Sequence, residues 1–221
     1  MKPILKLFAN FNKENASEQP PGAYQQQVHY CKQVWQGQTY GLERLVRLFL
    51  CAVQFAFPLL LVRDIFGRAG LIPRRLAVEA YTTFKFILPL CILSFGFYRY
   101  PALVILTIYL LSETILHILS LIFLADVYPA APSYRRSILL LFLHYLEVVF
   151  DFAVIYIAFG LLSEPLTPLS AVYFSLVANT TVGFGDIHAH GPIGQAVVIS
   201  QLIICVLFVI LFINYFSQRE K

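Results

Sequence analysis

The sequence predicts an all-α integral membrane protein, and three observations lead there. Of its 221 residues, 59% are hydrophobic and only 13% charged, a balance too apolar for a water-soluble domain. Several apolar runs reach the roughly 20 residues that a helix needs to cross a bilayer. The basic residues collect in alternate links between those runs, the asymmetry that orients multi-pass proteins. A net charge of +4 is too mild to suggest a nucleic-acid partner; the expected surroundings are a lipid bilayer.

Residues 1–43 read as a polar N-terminal segment. It opens on "MKPILKLFANF", a basic and apolar piece suited to a short surface helix, and continues as a loose Gln/Pro-rich stretch. Its apolar core is too short for a secretory signal. Residues 44–136 hold additional membrane helices, at about 45–62, 81–97 and 100–125. The first is marginal, because Arg47, Gln54 and Pro58 interrupt it, although an arginine near a helix end can extend its charge to the interface. Two or three extra helices therefore precede the last module. Five spans with the N-terminus outside is the preferred reading, and four with it inside is the other. Residues 137–216 carry two strongly apolar runs, 137–162 and 193–216, and 217–221 form a short tail.

Arg63, Arg68, Arg74 and Arg75 lie in one link, Arg135 and Arg136 in another, and Arg219 and Lys221 in the tail, whereas 163–192 contains no Lys or Arg. The arginine-rich links and the C-terminus are thus expected on the cytoplasmic side. The four cysteines, Cys31, Cys51, Cys91 and Cys205, have no metal or redox spacing and read as small apolar fillers.

Between the last two runs the chain reads "LTPLSAVYFSLVANTTVGFGDIHAHGPIGQ". Thr167 followed by Pro168 is a good helix start, a side-chain cap and then proline at the first helical position. The helix predicted over 168–178 is only half the thickness of a bilayer. Glycine-containing chain after it cannot face lipid, since unpaired amides and carbonyls there cost several kcal/mol each. The segment must re-enter, buried in protein or lining a water-filled passage.

"TTVGFGD" resembles the selectivity filter of tetrameric potassium channels, and "VYFSLVANTTVGFGDI" is similar to the pore helix and filter of bacterial potassium channels with a two-span pore module. The resemblance covers 137–216. It implies an outer helix at 137–162, a pore helix at 168–178, a filter at 181–186 and an inner helix at 193–216. It also implies a homotetramer in the plasma (bacterial inner) membrane, multi-pass, with K⁺ as permeant ion and no cofactor. Backbone carbonyls of Thr181, Val182, Gly183 and Phe184, with Gly185 completing the run, would replace the hydration shell of K⁺. Gly183 and Gly185 allow the left-handed backbone that aims successive carbonyls one way. Asp186, Tyr173, Phe174 and Thr180 would support the filter, Tyr173 standing where relatives usually carry tryptophan and its hydroxyl reaching Asp186.

Gating signals are sparse. The run 100–125 lacks the repeated arginines of voltage-gated relatives, so steep voltage gating is not expected. The few residues after Phe216 leave no ligand-binding domain in this stretch. Relatives often have a hinge glycine midway along the inner helix; Cys205 stands there and is the candidate gate. His188 and His190 at the outer mouth, His144, Glu147 and Asp151 on one helical face, and the i, i+4 pair Glu113 and His117 are candidate pH-sensing groups; their other role is structural, with Lys85 neutralising an acid across helices. The alternatives are a poorly selective cation channel, although Phe184 keeps the selective form of the motif, and a non-conducting, channel-like regulatory membrane protein. No spacing resembles a nucleophile or metal triad, so the chain is not expected to be an enzyme.

Overall fold

The computed structural model describes residues 22–37, 40–128, 133–163 and 166–217, with side chains to 213. The described residues are helical, with no strand beyond one isolated bridge between Leu162 and Ala189. The helices are α1 (Ala23–Gln36), α2 (Gly41–Val53), α3 (Pro58–Gly67), α4 (Leu71–Ser94), α5 (Pro101–Phe123), α6 (Tyr134–Ala158), α7 (Pro168–Asn179) and α8 (Gly191–Ser217). The surface helix expected in the first residues and the last residues of the tail lie outside the described part.

Two compact units are present: residues 1–81 with 126–128, and 82–125 with 129–221. In the first, α1 packs against α2 and α3. The Gln-rich stretch expected to be loose is in fact the 14-residue α1. Polar composition hid it, because Gln is a fair helix former that leaves no apolar stripe to read. The helix expected at 45–62 is not continuous. It is broken: residues 41–56 and α3 meet at 67°, with Phe57 extended and Pro58 opening α3. Proline cannot continue an incoming helix but suits the first turn of a new one. Arg47, buried on α2, pairs with Asp126 at 2.6 Å and with Glu43 at 3.2 Å.

Four helices, Leu71–Ser94, Pro101–Phe123, Tyr134–Ala158 and Gly191–Ile213, are long and apolar enough to cross a membrane, or up to five if the bent pair is one span. α4 starts ten positions before the expected 81, taking in Pro73, Arg74 and Arg75. The arginines made this stretch read as a link, yet proline in a first turn and arginine are both compatible with helix. In the second unit α6 is central, packing against α5, α7 and α8. Its second half is buried on every side, from Val148 to Tyr156 apart from the half-buried Phe150, around a core shared with Ile118, Ala171, Ile204, Phe208 and Leu211. That seat holds the short helix α7.

Candidate functional site

α7 is set by local chemistry at both ends. The Thr167 hydroxyl accepts from Ser170 N–H, and Ser170 Oγ accepts from Thr167 N–H at 2.7 Å, a reciprocal capping box with Pro168 between. At 12 residues the helix is about 18 Å long, short of the roughly 30 Å hydrocarbon layer. Its last turn closes through Thr180 N–H to Leu176 O, Thr181 N–H to Ala178 O and Val182 N–H to Val177 O. Thr180 Oγ1 donates back to Leu176 O at 2.9 Å, so this threonine ties the loop to the helix.

The backbone then alternates in hand. Thr181 has φ +55°, Gly183 +59° and Gly185 +82°, while Val182 and Phe184 between them are not left-handed. Alternation of this kind turns successive carbonyls to one side of the chain and successive N–H groups to the other. Glycine takes the left-handed positions without a Cβ penalty; Thr181 does so at a cost of about 1–2 kcal/mol. The sequence reading assigned that geometry only to the glycines. Carbonyls turned to one side in this way suit a cation. The C-terminal end of α7, with its partial negative charge, lies immediately before them.

Side chains frame the loop. Tyr173 Oη donates to Asp186 Oδ2 at 2.9 Å, and the Tyr173 ring stacks on Phe184 at 6.4 Å and 8°. Phe174, expected beside Asp186, instead turns to the core and meets Tyr156 edge-on at 5.1 Å. One helical step separates 173 from 174 by about 100°, so the two rings cannot share a face. Val182 and Phe184 are still 55% and 68% exposed in a single chain, large apolar groups left mostly uncovered.

Behind α7 lies a polar network that the sequence reading missed. Tyr156 Oη donates to Gln201 Oε1 at 2.5 Å. Gln201 Nε2 lies within 3.0 Å of Ser175 O, Ser175 Oγ and Asn179 Oδ1. Ser175 Oγ donates to Val149 O at 2.7 Å. Cys205, the candidate gate, is buried with its S–H donating to Asn179 O at 3.0 Å. Tyr156, Ser175 and Gln201 are essentially inaccessible, so α6, α7 and α8 are joined at one level by satisfied, uncharged groups. One signal was available: a lone glutamine inside a long apolar run must find partners. Gly194 closes the other end of α8, where a Cβ would fall 2.7 Å from Leu161 O.

His188 and His190 follow the loop, both exposed. Their backbones are fastened to the segment after α6, with Ser163 N–H to His188 O at 2.9 Å and His190 N–H to Leu161 O at 2.7 Å. Among the described residues no group of His, Cys, Asp or Glu is arranged to hold a metal ion.

The remaining candidate residues gather elsewhere in the second unit, where α4, α5 and α6 meet. Lys85 Nζ lies 3.2 Å from Glu113 Oε2 and from Glu147 Oε1 and donates to Thr114 Oγ1 at 2.5 Å. Thr114 Oγ1 in turn donates to Glu147 Oε1 at 2.8 Å. His144 Nδ1 is 2.7 Å from Glu147 Oε2, and the His117 and His144 rings are 6.0 Å apart. Glu113, one turn before His117 on α5, thus meets Lys85 across helices, the acid that the structural reading of Lys85 called for. Asp151 is buried one turn beyond Glu147, with Oδ2 lacking a hydrogen-bond partner among the described residues.

Residues 144–220 match the family model described as "Ion channel". No curated protein and no solved structure matches the chain. The match takes in the larger part of α6, all of α7, the loop of alternating hand and α8, so this stretch of the chain is similar to an ion channel in the segment that carries the candidate site.

Proposed function

We propose that the protein is a potassium-selective channel, a homotetramer whose four loops meet on one axis. The observation that carries this reading is the alternation of backbone hand at Thr181, Gly183 and Gly185, directly after a helix too short to span. Four such loops stack rings of carbonyls from Thr181, Val182, Gly183 and Phe184, with the Thr181 hydroxyl at the inner end. Those oxygens replace the water that K⁺ gives up on entry. A single loop surrounds nothing, so a fourfold ring requires four copies; the exposed Val182 and Phe184 support such burial between neighbours. The arginine-rich links and C-terminal tail then face the cytoplasm, and His188 and His190 the outer mouth. Steep voltage dependence is not part of the proposal, because α5 carries no lysine or arginine.

The test is flux in liposomes holding the purified protein. Uptake of K⁺ or Rb⁺ without Na⁺, from a particle that cross-links as a tetramer, supports the reading. Equal Na⁺ flux would make it a poorly selective cation channel, and absence of flux from a folded tetramer a non-conducting relative.

A further inference from the structure

Cys31 on α1 and Cys51 on α2 are 20 positions apart, yet their sulfurs lie 2.9 Å from one another. Both thiols are free, and α1 and α2 pack side by side. The sequence offered no such pair, because the contact is made by two helices meeting and not by a short spacing. A disulfide needs its sulfurs at about 2.05 Å, so a shift of about one ångström would close the bond.

The two thiols differ in access. Cys51 is fully buried. Cys31 is half-buried and lines a cleft of about 330 Å³ with Val28, Lys32, Trp35, Leu48 and Phe55. Gln27, buried on α1, donates to Cys51 O at 2.9 Å and reaches Cys51 Sγ at 3.5 Å, which holds the buried sulfur in place beside its neighbour. Cys205 differs, its S–H being committed to the Asn179 carbonyl.

We propose that Cys31 and Cys51 are a redox-convertible pair, with Cys31 reacting with a peroxide and Cys51 resolving the product. The Cys31 thiolate attacks one peroxide oxygen. The O–O bond breaks, the other oxygen leaves as water or an alcohol after taking a proton, and Cys31 becomes a sulfenic acid. Cys51 then attacks the Cys31 sulfur, the S–S bond forms, and the S–O bond breaks with the oxygen leaving as water carrying the Cys51 proton. Two thiols and one hydrogen peroxide give one disulfide and two waters. The sulfurs lose two electrons and the peroxide gains them. The bridge fastens α1 to α2, and exchange with an external dithiol reverses it.

The experiment treats the purified full-length protein in lipid nanodiscs with hydrogen peroxide, alkylates the remaining thiols, and maps non-reduced peptides. The expected result is loss of two of the four thiols, a 31–51 link within one chain, and recovery of both thiols with dithiothreitol. Cys51→Ser should stop Cys31 at a sulfenic acid that dimedone captures, and Cys31→Ser should abolish the link. Four thiols still open to alkylation, a bridge between two chains, or oxidation confined to Cys91 or Cys205 would overturn the proposal. The wild-type map decides it even where a variant fails to fold.

Discussion

Two polar networks sit in the apolar second unit, and they are built on opposite terms. Behind α7, the Tyr156–Gln201–Ser175–Asn179 set is uncharged, and each donor meets an acceptor. Between α4, α5 and α6, Lys85 faces two carboxylates, with Asp151 close by and one of its oxygens unpartnered. A neutral, satisfied network fixes a geometry at little electrostatic expense. A charged one in a dry interior holds only while its charges balance. The first reaches Asn179, the last residue of α7, from which the loop of alternating hand departs. The second joins the helices that precede the ion-channel stretch to α6, the helix that opens it.

The contrast is broken most forcefully at Lys85. Lys85→Met removes the ammonium between Glu113 and Glu147, and removing one partner of a buried pair costs about 3–5 kcal/mol. Lower thermal stability of the purified protein, read by size-exclusion after heating, is the expected outcome. Lys85→Met combined with Glu113→Gln and Glu147→Gln should recover most of the loss. A single variant as stable as wild type would mean that water already reaches the cluster.

Gln201→Leu comes next. It strips the donor from Ser175 and Asn179 and the acceptor from Tyr156, and each buried group left unpaired costs about 1–3 kcal/mol. This variant should lose selectivity for Rb⁺ over Na⁺ in flux measurements as well as stability, whereas the Lys85 variants should lose stability alone. A Gln201→Leu channel that remains fully selective would remove the network from the account of the loop.

Gly194→Ala tests the packing of α8 against the segment after α6. The added methyl meets the Leu161 carbonyl at 2.7 Å, and overpacking of this kind costs about 1–3 kcal/mol. A lower melting temperature with unchanged selectivity is expected, since the contact lies away from the carbonyl row. The smallest effect belongs to Tyr173→Phe, which deletes the hydrogen bond to Asp186 but keeps the ring on Phe184. Sustained currents should decline faster, with little change in expression or assembly; identical decay would show the hydroxyl to be dispensable.

The same two networks show what the sequence reveals and what it withholds. The long helices α5, α6 and α8 were legible because an unbroken apolar run longer than a bilayer has few other uses. The start of α7 was legible from Thr167 and Pro168, and the loop from its glycines, because caps and left-handed positions are local chemistry. Lys85 could be seen as a charge needing a partner, but not which one, since side chains from three helices meet only after packing. Gln201 was overlooked in so apolar a helix, and the left-handed Thr181 was overlooked because a β-branched residue rarely adopts that conformation. The start of α4 was misplaced because arginines resemble a link when only hydropathy is weighed.

The most direct test of the central claim is the bi-ionic reversal potential of the purified protein in a planar bilayer, with K⁺ on one side and Na⁺ on the other. A potassium-selective pore gives a reversal potential that follows the K⁺ gradient and ignores changes in Na⁺, and that moves toward zero in Gln201→Leu. A wild-type reversal potential near zero under bi-ionic conditions would contradict it.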